Sequence, residues 1–326
     1  MTLQRRILVT GGCGYIGSVL VPKLARTYPV VVLDSMAFGN QLEGIPNVTT
    51  VQGDIRDYPL VRSVLDGATD VIHLAAIAND PSSDLDPDLT RAVNHDAILN
   101  IVEAAKAAGV GRFISASSSS VYGIKEEESV TEDLSLEPLT LYAQLKAESE
   151  KIVGQAADDA FTATSIRSAT VCGVSPRMRF DVIVNIMAKL AATNQVITVW
   201  GGDQQRPNIH IEDITDLYQQ LLDMPSQSIN GKIYNVGAPN HSVKEIALMA
   251  KEEIGGTVEI DSNAVDNRSY RISSERIKRE LGYVPKRSIR QAMRDIKEAF
   301  DNGRFQDFDD DKYYNVRMMK KLQVGA

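Results

Sequence analysis

The chain predicts an α/β fold: a doubly wound parallel sheet with a smaller C-terminal lobe. Two observations predict it. Strand-like apolar runs alternate with helical patterns through the first half of the chain, the order expected of a parallel sheet covered by helices on both faces. A glycine-rich turn joins the first run to the first helical pattern, and the second run ends in a carboxylate, which is the layout of a Rossmann-type dinucleotide site.

The first strand is read at Ile7–Val9, followed by Gly11-Gly12-Cys13-Gly14-Tyr15-Ile16-Gly17 with glycines spaced G-x-x-G-x-x-G. Gly11 and Gly14 let the backbone turn tightly and approach a pyrophosphate, and Gly17 lets helix and strand pack closely. The helix beginning near Tyr15 and running to Arg26 aims its free N–H groups at that anion. Cys13, Tyr15 and Ile16 lie within the turn and join the glycines as candidate cofactor contacts. Asp34 closes the strand Val30–Leu33, where a carboxylate accepts hydrogen bonds from the adenosine ribose and repels a 2′-phosphate, so the cofactor is read as NAD. Further strands are expected at Val48–Val51, Val71–Leu74, Phe113–Ser115 and Thr162–Arg167, alternating with helices at Leu60–Leu65, Leu89–Ala108 and Tyr142–Ala157. After Gly173 the pattern loosens around loops at 175–179 and 201–207, with amphipathic helices expected at Ile246–Ile254 and Ile289–Phe300. Residues 1–174 are thus read as the NAD-binding domain and 175–326 as mainly a substrate lobe, with some chain crossing back.

At 326 residues the chain is long enough for a large α/β domain carrying a second lobe. Its 35 basic and 43 acidic residues give a formal charge of -8, which argues against nucleic acid or an anionic membrane as the main partner. Cys13 and Cys172, the two cysteines, each sit in an apolar segment, so a disulfide framework is not indicated and a reducing compartment fits. The chain enters its first strand within a few residues, without a signal-peptide pattern, and no apolar run approaches the length of a membrane span. A cytoplasmic protein is expected.

Tyr142 and Lys146 stand four apart on one predicted helix, so a phenol and an ammonium share one face. The nearby cation favours the phenolate and makes the tyrosine a base near neutral pH. The run Ser117-Ser118-Ser119-Ser120-Val121-Tyr122-Gly123 follows the strand at Phe113–Ser115. Ligands of open α/β sheets bind outside the carboxyl ends of the strands, which puts this hydroxyl cluster at the same rim as the glycine turn.

Thr10 through Gly17, Gly53-Asp54-Ile55, His73-Leu74-Ala75-Ala76, the Ser118 to Gly123 run and Tyr142 with Lys146 together resemble the extended short-chain dehydrogenase/reductases that modify nucleotide sugars. The resemblance implies that Asp54 and Ile55 contact the adenine and that the stretch from Leu74 through Ala75, Ala76 and Ile77 lines the cofactor cleft. It implies that Lys146 bonds the nicotinamide ribose while lowering the pKa of Tyr142, and that Ser118 shares the sugar hydroxyl with Tyr142. His73 is read as supporting its strand and Asn94 as a polar helix residue, with no catalytic role for either. Where related 4,6-dehydratases carry an acid–base pair, Ser119 and Ser120 stand here; these two and Ser118 are read as substrate contacts. Arg206 and Arg268 fall where relatives place diphosphate-binding arginines, and a guanidinium fork suits phosphate oxygens. Arg177, Arg179 and Asn185 are also expected at the substrate, in a segment that resembles a subgroup acting on GDP-heptoses, including 4-dehydrogenases that keep NAD bound. The resemblance implies an NAD-dependent nucleotide-sugar 4-epimerase working through a transient 4-keto sugar, with a 4-dehydrogenase as the alternative. A 4,6-dehydratase or a non-catalytic sugar-nucleotide sensor fits less well. The helices at Leu89–Ala108 and Tyr142–Ala157 resemble a pair that builds a four-helix dimer bundle in relatives, so a homodimer is expected. No metal is implied.

Asp34 generates the first test. NAD is expected to bind well ahead of NADP in calorimetric titrations, and Asp34→Ala to narrow the gap by removing the repulsion. Equal affinities in the native chain would refute the assignment.

Overall fold

A computed structural model describes residues 5–261, 269, 271–305 and 307–324. The chain opens with β1 (Ile7–Thr10), α1 (Gly17–Ala25), β2 (Val30–Asp34), β3 (Val48–Gln52), α2 (Tyr58–Leu65) and β4 (Asp70–His73). It continues through α3 (Asp80–Ser83), α4 (Pro87–Arg91), a π-helical turn at Ala92–Asp96, α5 (Ala97–Ala107), β5 (Arg112–Ser118), α6 (Leu141–Ala156) and β6 (Thr162–Ser168). The helix expected over Leu89–Ala108 is therefore interrupted. The wide turn seats Asn94 against the backbone of Ile77, which its side chain bonds at both the N–H and the carbonyl, each at 2.9 Å. Such single-turn bulges commonly re-aim one residue at a functional place.

Beyond β6 come β7 (Thr170–Cys172), α7 (Ile183–Ala192), β8 (Val196–Trp200), β9 (Gln205–Arg206), β10 (Asn208–His210), α8 (Ile211–Asp223), α9 (Ser226–Ile229) and β11 (Lys232–Val236). The chain ends in β12 (His241–Ser242), α10 (Val243–Glu253), β13 (Thr257–Asp261), α11 (Glu275–Leu281), α12 (Ile289–Asp301) and α13 (Asn315–Val324). The main sheet runs β11-β6-β5-β4-β1-β2-β3, and every pairing within it is parallel. Its order reverses between β1 and β4, which opens a crevice at their carboxyl ends. β11 comes from the C-terminal half and covers the edge that β6 would otherwise expose, and α8 packs on α1. Segments after residue 174 thus pack back on the elements before it, and α13 does so as well, against α3. Outside the main sheet the later part of the chain carries short pairs, β8 with β13 and β9 with β12.

Alternation within the strands decides the core. Ile7 and Val9 face one apolar cluster and Leu8 the other, so successive side chains of β1 are buried on opposite faces of the sheet. Across the β5–β6 end a buried ion pair ties the layers together: Arg167 on β6 donates from Nε and Nη2 to the two carboxylate oxygens of Glu150 on α6, at 2.9 and 2.7 Å. Ser117 donates to the same carboxylate. The remaining Arg167 nitrogen donates to Tyr122 Oη at 2.7 Å, which donates in turn to Asn235 Oδ1 on β11 at 2.8 Å. Removing one partner of such a pair strands a buried charge, so Glu150→Ala is expected to lose about 3–5 kcal/mol of stability. Urea unfolding tests this, and a loss under about 1 kcal/mol would contradict it.

Candidate active site

A cavity of about 700 Å³ runs along the carboxyl ends of the main sheet. Every residue that the sequence singled out for the cofactor or for catalysis lines it. Gly11 at one wall has φ +72° and donates its N–H to the Leu33 carbonyl at 2.9 Å. A Cβ there would lie 2.6 Å from the Ala75 nitrogen, and one on Gly17 would lie 2.5 Å from Gly12 Cα. Side chains at these positions would collide with the backbone of Ala75 and Gly12, so the turn must be bare backbone, as the close approach of a pyrophosphate also requires. Asp34 is anchored by the N–H groups of Cys13 and Met36, which donate to its two oxygens at 2.9 and 2.8 Å. Burial raises its carboxyl above the usual range, against the pull of those two donors and of Arg177. The Cys13 thiol is pushed up to about 12 by burial and by Asp34, which leaves it unreactive. Asp54 grips Arg56 at 2.6 Å beside the buried Ile55. Leu74, Ala75 and Ala76 form the strip beyond β4 whose far end, Ile77, is clamped by Asn94. This set fits NAD: a sterically bare turn at a helix start, an acid for the ribose, and an apolar strip beneath.

The catalytic side is built on β5 and α6. Ser118 ends β5, and its Oγ accepts from the Ser120 N–H at 3.2 Å and lies 2.9 Å from Ser120 Oγ. Ser119 is buried. Thr140 caps α6 by accepting from the Ala143 N–H at 3.2 Å, which starts the helix so that Tyr142 falls in its first turn. Lys146 lies one turn on, its ammonium donating to the Ala116 carbonyl at 2.8 Å and standing 5.9 Å from the centre of the Tyr142 ring. Burial brings the Lys146 ammonium down to about 8, with Glu150 pulling the other way. His73 bonds Thr10 Oγ1 at 2.7 Å through Nδ1 and burial takes it down to about 3, so it stays neutral and supports its strand as expected.

The substrate candidates separate. Arg177 and Arg179 line the cavity. Asn185 does not: it is fully buried, its oxygen accepts from the Gly173 N–H at 2.9 Å, and its amide donates to Tyr15 Oη and the Arg179 carbonyl. These three bonds make it a brace for the loop after β7. Arg206 is buried on β9 with Nη1 on the Gln205 carbonyl, and it too is absent from the lining. Arg268 lies outside the described residues. Four residues that sequence reasoning passed over belong to the site: Asp80, Phe38 and Asn315 line the cavity, and Thr140 donates to Asp80 Oδ1 at 2.7 Å. The helix-cap pattern marks Thr140 in sequence, but nothing local marks the others.

Residues 7–237 match the model of the NAD dependent epimerase/dehydratase family. A UDP-glucose 4-epimerase of Lactobacillus helveticus is 30% identical over 270 residues, covering 77% of this chain and 82% of that one. A dTDP-glucose 4,6-dehydratase of Streptomyces griseus is 29% identical over 302 residues, with 87% and 90% covered. Among solved structures, the dTDP-glucose 4,6-dehydratase DesIV from Streptomyces venezuelae with NAD and TYD bound superposes with a TM-score of 0.80 at 26% identity, covering 92% of this chain and 98% of that one.

The buried ammonium has a stability signature. Its pKa in the folded chain lies below the unfolded value, so protonation opposes folding below about pH 8 and the penalty vanishes above about 10.5. Relative to Lys146→Met, the native chain is expected to gain roughly 3 kcal/mol across that window. Denaturation at pH 7 and at pH 10.5 measures it, and a pH-independent difference would show that the ammonium carries no burial penalty.

Proposed function

Because the chain belongs to the NAD dependent epimerase/dehydratase family, we propose that it is a nucleotide-sugar 4-epimerase. The observation that carries the reading is the serine run Ser118-Ser119-Ser120 at the carboxyl end of β5, hydroxyls without a carboxylate, in one cavity with Tyr142 and Lys146. Several UDP-glucose 4-epimerases among the relatives support it.

Lys146 favours the phenolate of Tyr142 by its charge, and the phenolate takes the proton of the sugar's C4 hydroxyl. Ser118 Oγ bonds the same hydroxyl and holds it toward Tyr142. NAD, when held in the glycine cradle, supplies an acceptor and then a donor for the C4 hydride. Tyr142 keeps the proton while the sugar is a 4-ketone, and gives it back to the new C4 oxygen when the opposite face is reduced. Substrate and product have the same composition. Elimination of water would need a base at C5 and an acid at the C6 hydroxyl, and Ser119 and Ser120 supply neither. Asp80, a further carboxylate of the cavity, accepts from Thr140 at the cap of α6. A homodimer belongs to the same reading, supported by the side-by-side packing of α5 and α6 and by the exposed Leu99.

The test is to incubate the enzyme with UDP-, GDP-, dTDP- and CDP-sugars and weigh the products. An unchanged mass with a changed C4 configuration is expected. A loss of two hydrogens matched by reduced NAD would assign a 4-dehydrogenase, and a loss of one water would overturn both. Tyr142→Phe is expected to keep the fold and lose about 10²- to 10⁴-fold in turnover. Activity within a few-fold of the native chain would remove Tyr142 from the mechanism.

A further inference from the structure

The loop after β7 is stitched onto the first turn of α1. Tyr15 Oη donates to the Gly173 carbonyl at 2.7 Å, Ser175 Oγ donates to the Tyr15 carbonyl at 2.8 Å, and the Arg177 N–H donates to Ser18 Oγ at 3.3 Å. Arg177 therefore starts beside the helix end where an anion is favoured. Its guanidinium carbon lies 3.8 Å from the centre of the Phe38 ring, and Phe38 belongs to the loop that follows Asp34. The side chain so spans from the glycine turn to the ribose acid while lining the same cavity.

Arg177 is only 4% exposed. Nη2 donates to Asn315 Oδ1, but among the described residues Nε and Nη1 have no hydrogen-bond partner, and neither does Nη2 of Arg179. The nearby carboxylates are already engaged: Asp181 takes Nε of Arg179 at 2.8 Å and the Asn315 N–H at 2.8 Å, and Asp34 is bound by two backbone groups. Buried donors are normally satisfied, and a planar guanidinium fork matches phosphate oxygens. We infer that Arg177, with Arg179 behind it, is a ligand of the pyrophosphate of NAD, so that the second lobe clasps the cofactor instead of the substrate's diphosphate. Burial and the adjacent Arg179 bring the Arg177 guanidinium down to about 9, as expected of a cation short of its counter-ion. The inference rests on NAD dependence, not on the epimerase reading.

Calorimetry on the nucleotide-stripped chain, with no sugar nucleotide present, separates the two. Arg177→Met is expected to weaken NAD and ADP-ribose by about 10- to 100-fold and to leave adenosine, which lacks phosphate, within a few-fold. Without ligand, the variant's thermal midpoint is expected to equal or exceed that of the native chain, because an unpaired buried cation has been removed, while the rise on adding NAD shrinks. Arg177→Lys, which keeps the charge and loses the fork, is expected to fall between. Unchanged NAD affinity with weakened UDP or GDP binding would give Arg177 to the substrate. A lowered midpoint without ligand, with NAD and adenosine weakened alike, would make the residue structural. Either result overturns the inference.

Discussion

The approach of two backbones at the switch point constrains the rest of the molecule. Gly11 leaves β1 so near the start of the strip beyond β4 that a side chain there would collide with the Ala75 nitrogen. From this contact the sheet proceeds one way to β2 and β3 and the other way to β5 and β6, and the divergence makes the cleft. Asp34 and Asp54 come from the ends of strands on one flank, Ser118 and Tyr142 from elements on the other. A dinucleotide stretched across the switch point would meet both sets.

Several buried polar groups pair with one another inside the protein: Glu150 with Arg167 and Ser117, Tyr122 with Asn235, and Asn185 with three partners. Two cations that line the cleft are engaged less fully. Lys146 is buried as a cation with a carbonyl for partner, and Arg177 keeps two nitrogens unpaired among the described residues. Destabilised groups of this kind concentrate at functional sites, because the ligand or transition state supplies what the protein withholds.

The segments after β6 are tied to the glycine turn and α1. Besides the bonds from Tyr15 and Ser18, Lys23 bridges to Glu212 and Asp216 of α8. One short helix thus presents its start to the cavity and its flank to α8. This couples the cofactor cradle to the segment that carries Arg177 and Arg179.

Much of the fold was legible in the sequence because its determinants are local. Glycine spacing, a β-branched run ending in Asp34, and Tyr142 four residues before Lys146 each act within a few residues, where sterics and helical pitch decide the outcome. The parallel sheet and both halves of the cleft are read from them, whereas the order of the strands, with β11 on the edge beside β6, appears only in the fold. The bulge at Ala92–Asp96 was not legible, since it arises from Asn94 reaching the backbone of Ile77 on another segment. Nor could the sequence separate Arg177 from Asn185: Arg177 lies in a loop, which has no period from which side-chain direction is read, and the direction in which the start of α7 presents Asn185 depends on how that helix docks. By itself the sequence determined the sheet, the cradle and the Ser118, Tyr142 and Lys146 set. Only the tertiary structure decided that Arg177 meets Phe38 and Asn315, that Asp80 meets Thr140, and that Asn185 turns away from the cavity. Those meetings join residues separated in the chain, and tertiary packing fixes them where local propensity cannot.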